Sequence, residues 1–142
     1  MITSANRPTL AQMGRARRLL AQEGALGTAD ECAAAAGRVY DKLHVHLSPL
    51  LGTAGAQALL VRSGKLTRRE FSFLEVASLE GFPQMRECLR AQDPRVASDA
   101  AATLFGTFFT LLTTFIGERL TTQALRAAWP TIEDAVPTET KE

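Results

Sequence analysis

The chain has 142 residues, of which 46% are hydrophobic and 22% charged, and a formal net charge of +1. That size and balance suit a domain that closes a hydrophobic core without obligatory disulfides or metals, which excludes wholesale disorder and collagen-like or mucin-like chains. Near-neutrality removes the concentrated excess of Lys and Arg on which phosphate-backbone binding rests, so no nucleic-acid partner is expected.

Helix-start chemistry recurs from the N-terminus onward: a Ser or Thr that can accept a backbone N–H, with Glu or Gln three residues later to reach back. Thr9 with Gln12 predicts a helix over 9–23, and Thr28 with Glu31 predicts one over 28–47. Ser48-Pro49 reads as a cap followed by a proline at the first helical position, where its missing N–H costs nothing, and predicts a helix over 49–63. Thr67 with Glu70 predicts a short helix over 67–75, followed by one over 83–92. Asp93-Pro94 opens a long apolar helix over 94–117, and a last helix is expected over 120–129. No alternating β-branched run with a hairpin dipeptide occurs, so the fold class is all-α: a compact bundle of about five to seven helices around the helix at 94–117. The expected organisation is a loose segment over 1–8, one helical domain over 9–129 and a loose acidic tail over 130–142.

The run from Ala100 to Gly117 contains no charged residue and approaches the roughly 20 residues that a membrane span needs. Placed on a helix at 100° per residue, Leu104, Phe105, Phe108, Phe109, Leu111, Leu112, Phe115 and Ile116 fall within an arc of about 160°. Thr103, Gly106, Thr107, Thr110, Thr113, Thr114 and Gly117 fill the other sector. Two distinct faces, with Asp99 and Glu118-Arg119 as flanks in place of a Lys/Arg cluster and aromatic belts, predict the axis of a soluble bundle and make a membrane partner unlikely. The small-residue stripe of Thr103, Gly106, Thr107, Thr110, Thr114 and Gly117 is expected to pack closely, on a helix of the same chain or on a second copy.

His44 and His46 are two residues apart, which on a helix points them about 200° away from each other, so they cannot share one ion; no metal and no cofactor is expected. His46 is expected on the apolar face of its helix, and with Phe71, Phe73, Phe105, Phe108 and Phe109 it forms a candidate pocket for a small apolar or anionic ligand. Arg62, Lys65, Arg68 and Arg69 surround the expected helix start at Thr67 and make a candidate site for an anion or an acidic partner. Cys32 and Cys88 sit in no CxxC or Cys/His spacing, and the N-terminal stretch lacks the apolar segment of a secretory signal; both thiols are expected reduced, in the cytoplasm. No nucleophile elbow, phosphate loop, Ser/His/Asp spacing or paired acids appear, so catalysis is not expected. The residues point first to a non-catalytic interaction or regulatory module acting on a protein partner or on itself, and second to a small-ligand binder.

Overall fold

A computed structural model of the protein describes residues 8–24, 27–74 and 82–130. Its α-helices are α1 (Leu10–Gln22), α2 (Ala29–Leu51), α3 (Thr53–Thr67), α4 (Phe82–Arg90), α5 (Pro94–Ile116) and α6 (Glu118–Ala128), with a 3₁₀ turn at Ser72–Leu74. No strand occurs among the described residues. The expected all-α bundle around a long apolar helix is therefore the fold. The loose end segments expected from the sequence lie, apart from Pro8 and Pro130, outside the described residues.

Three of the expected helix starts are capped as their residues require. Thr9 accepts from the Gln12 N–H at 3.1 Å, Thr28 and Glu31 form a reciprocal capping box, and the Asp93 carboxylate accepts from the Arg95 N–H with Pro94 in the first turn. Each such cap is worth about 1 kcal/mol.

The other two starts are corrected. α2 does not stop before Pro49 but runs through it to Leu51, and Ser48 donates its hydroxyl to the His44 carbonyl at 2.6 Å instead of capping a new helix. The apolar row of Leu43, Leu47 and Leu51, at helical spacing, continues past the proline, and burying it outweighs one lost helical hydrogen bond. The break falls at Gly52, whose φ of +81° is open to a residue without a Cβ. α3 consequently starts later and ends later than expected. Thr67 is its last residue, with the N–H groups of Glu70 and Phe71 donating to the Thr67 carbonyl, and no helix starts there.

α5 is the axis of the bundle, in contact with α1, α2, α3 and α6. Cys32 shares a cleft with Pro94, Arg95 and Ser98, while Leu43 and Leu47 share a cavity with Phe108, so α2 and α5 run parallel. α3 folds back along α2 from Gly52, and α6 folds back from Gly117, at φ +94°. α4 lies against α2, where the Arg86 side chain crosses Gly37 and Arg90 pairs with Asp30 at 3.3 Å.

By length and apolar composition α5 could cross a membrane, with a mean hydropathy of 1.4 over its most apolar window. Yet 56% of that window is buried inside the bundle, and Leu104, Phe105, Phe108, Phe109 and Leu112 are in the core. This is compatible with the core helix of a soluble protein.

The stripe of small residues is used unevenly. Gly106 is where α1 approaches: a Cβ there would lie 3.0 Å from the Met13 sulfur and 3.1 Å from the Pro8 Cβ. Thr113 accepts a hydrogen bond from the Gln12 side chain at 3.4 Å. Thr107 is buried, Thr103 and Thr110 are half-buried, and Thr114 and Gly117 are exposed at the end of α5. The hydroxyls of Thr110 and Thr114 donate to carbonyls one turn back, which gives the half-buried Thr110 a partner. Replacing Gly106 by Leu should force α1 off the axis and cost about 1–3 kcal/mol, the usual toll of overpacking. In urea denaturation Met13→Ala should recover part of that loss in the double variant; strict additivity would show that the two positions do not press on each other.

Candidate functional site

Of the residues expected to line a ligand pocket, Phe108 lines the cavity described at the central helix. Phe105, Phe108 and Phe109 are buried, with the rings of Phe108 and Phe109 meeting edge to face at 5.9 Å. The cavity beside Phe108 has a volume of about 10 Å³ and is lined by Tyr40, Leu43, His44, Leu47, Ala56 and Leu60 as well. That is roughly the room one water needs, far below the several hundred Å³ of a small-molecule site. His44 lines it and His46 does not; His44 also lies 5.9 Å from the Tyr40 ring, centroid to centroid. On α2 Leu47 is buried, Leu50 is exposed and His46 is half-buried. Phe71 and Phe73 pair with each other at 6.1 Å in the segment after α3 and do not line this cavity.

The basic group Arg62, Lys65, Arg68 and Arg69 lies at the C-terminal end of α3. This corrects the premise of an anion site there. The last turn of a helix presents carbonyls and the negative end of the dipole, so the helix attracts these cations and offers an anion no free N–H. Arg62, Lys65 and Arg69 are exposed and Arg68 is half-buried.

A wider cleft, about 410 Å³, lies where α2 and α5 begin, and was not foreseen because its walls are more than sixty residues apart in sequence. Of its polar groups, Arg17 pairs with Asp99 at 3.1 Å and Thr28 caps α2, while Arg95 and Ser98 also line it. Burial pushes the Cys32 thiol up to about 11, so at neutral pH it is protonated and a poor nucleophile. Among the described residues no three of His, Cys, Asp and Glu come together as metal ligands would.

The most concentrated polar cluster is centred on Glu23, which follows α1. Its side chain is 9% exposed and accepts from the Trp129 indole N–H at 2.7 Å and from Lys42, with the Arg38 guanidinium at 3.6 Å. Arg38 also donates to the Glu23 carbonyl, and Lys42 lies 5.5 Å from the centre of the Trp129 ring. Burial alone would raise the Glu23 pKa, but hydrogen bonds from Lys42 and Trp129 and the charges of Lys42 and Arg38 together outweigh it and hold the carboxyl below its ordinary range. The cluster joins the end of α1, the middle of α2 and the end of α6. With every group paired inside the chain, it is a structural clasp and holds nothing ready for a substrate.

One surface remains without a role in the fold. Cys32 is level with residues 95–98 and Leu47 with Phe108, so Leu51 at the end of α2 is level with the last turn of α5. Phe115 lies seven residues beyond Phe108, on the same side of α5 and about 10 Å further along. Phe115 is 71% exposed, Leu50 at the end of α2 is 51% exposed, and Leu120 at the start of α6 is 40% exposed. Among the described residues the other exposed large apolar side chains are Leu10, 92% exposed at the start of α1, and Val45 in mid-α2. No sequence signal separated Phe115 from its buried neighbours, since it shares their arc of the helix.

The chain matches no protein-family model, no curated protein and no solved structure. Its functional reading therefore comes from its own groups. Among the described residues the cavity beside Phe108 has room for about one water, the Glu23 clasp is paired within the chain, and Phe115 stands in solvent.

Proposed function

We propose that this protein is a non-catalytic interaction module of the cytoplasm, a helical bundle that docks a protein partner through the end formed by Leu50, Phe115 and Leu120. The observation that carries this reading is Phe115, a large aromatic side chain held 71% in water on a helix whose other phenylalanines are buried. Aromatic anchors of this kind dominate interface energetics when a partner removes them from water. An enclosed ligand site is less favoured, because the cavity beside the central helix has room for about one water. The cytoplasmic placement rests on Cys32 and Cys88 being free thiols.

The test places the photoreactive residue benzoylphenylalanine at position 115, and in a second variant at the exposed Ala58 on α3. Irradiation in cells should give a discrete protein adduct from position 115 and only diffuse labelling from position 58. Indistinguishable labelling from the two positions would remove the docking reading.

A further inference from the structure

We propose that the cleft where α1, α2 and α5 meet binds a small organic acid, a monocarboxylate with a short apolar body, through Arg95 and Ser98. This site is separate from the apolar end around Phe115 and does not rest on the docking reading.

At about 410 Å³ the cleft is in the size range of small-molecule sites. Three helices supply its walls: Arg17 comes from α1, Cys32 from the start of α2, and Pro94, Arg95, Ser98 and Asp99 from one face of the first turns of α5. Two of its polar groups have nothing to bind. The Arg95 guanidinium makes no ion pair or hydrogen bond with any described residue; Asp99, one turn away on the same face, accepts from Arg17 at 3.1 Å instead. The Ser98 hydroxyl is also without a partner among the described residues, whereas Ser48 and Ser63, the other serines in described α-helices, turn theirs back to the carbonyl one turn earlier. Residues three apart on a helix are neighbours, about 5–6 Å between Cβ atoms, so these two free donors can meet one carboxylate.

The charge balance sets the ligand. Along the walls stand two cations, Arg17 and Arg95, and one acid, Asp99, which Arg17 already holds; one guanidinium is left to be neutralised. The acids just outside the walls are engaged: Asp93 and Glu31 accept from backbone N–H groups at the starts of α5 and α2, and Asp30 pairs with Arg90. These caps bring negative charge to both helix starts and occupy N–H groups there, which disfavours a doubly charged phosphate. A carboxylate brings one charge, and its two oxygens match the planar fork of a single guanidinium. Beside Arg95 the wall is hydrocarbon and sulfur. Pro94 supplies its ring, and the Cys32 thiol, 3% exposed and protonated at neutral pH, packs as a small apolar group. A free cation next to an apolar wall fits an acid that carries a short hydrocarbon tail.

Amide chemical shifts of the isotope-labelled full chain test this, in titrations with hexanoate and, in parallel, with hexanol and with inorganic phosphate. Hexanoate should shift the amides of Cys32, Arg95 and Ser98 saturably, in the millimolar range that so small a ligand commands. Arg95→Ala should weaken that binding by about fivefold or more, the scale of a charge-assisted contact at a partly exposed site. Arg95 is exposed, so the variant keeps its fold, which circular dichroism checks. Asp99→Asn, which removes the competing acid from the wall, should tighten binding. The absence of a saturable shift at these amides by about 20 mM hexanoate overturns the proposal. Equal shifts from hexanol, which would reduce the cleft to an apolar crevice, overturn it too, as does tighter binding of phosphate than of hexanoate. So does Arg95→Ala binding hexanoate as well as the wild type, or weaker binding by Asp99→Asn.

Discussion

Phe109→Ala should lower the stability of this protein by about 3–5 kcal/mol, whereas Phe115→Ala, six residues along the same helix, should change it by less than about 0.5 kcal/mol. Phe109 is fully buried, with its ring against Phe108, and truncating it leaves a cavity that the surrounding helices can only partly close. Phe115 is mostly in water already, so its removal gives up little burial. Since domains are stable by only about 5–15 kcal/mol, the first variant should lose a large share of its margin and the second almost none. Urea denaturation followed by circular dichroism reads both. Equal losses would mean that Phe115 is buried in solution, and the apolar end would cease to be a free surface.

Glu23→Gln should cost about 1–2 kcal/mol at pH 7, and the loss should shrink as the solution is acidified. The amide can still accept from Trp129, but it gives up its charged contacts with Lys42 and Arg38, both about half in solvent, which is why the figure stays modest. In the folded protein the Glu23 carboxyl lies below its ordinary value of 4.5; the unfolded chain titrates near that value. A group depressed on folding contributes stability that is fully present above the unfolded pKa and is lost as pH falls through the folded one. Wild type and variant should therefore differ at neutral pH and converge once the pH is below both values. A gap unchanged between neutral and strongly acidic solution would show that the cost comes from lost packing, with no contribution from the ionised clasp. Trp129→Phe, which removes the indole donor and keeps an aromatic ring, should narrow the same pH dependence.

These two residues mark how far the chain could be read without coordinates. The helical class and the central helix followed from periodicity and capping alone. Thr9, Thr28 and Asp93 behave as their side chains require, because a cap is settled within four residues of chain. Ser48-Pro49 and Thr67-Glu70 carry the same local chemistry and failed as starts. At the first, the buried row through Leu47 and Leu51 carried the helix onward; at the second, α3, begun later than its proline suggested, still had turns to complete. The basic group after α3 changed its meaning with that shift, since the same four cations face N–H groups at a helix start and carbonyls at a helix end.

The sequence by itself determined the fold class and the identity of the axial helix, both of which depend on spacing along one helix or on residue type. Only the tertiary structure decided that Glu23 meets Lys42 and Trp129, that His44 shares a cavity with Phe108, and that Phe115 stays in water while Phe109 does not. Those outcomes depend on where neighbouring helices stop, and a helix cannot encode in its own periodicity the length of the helices packed beside it.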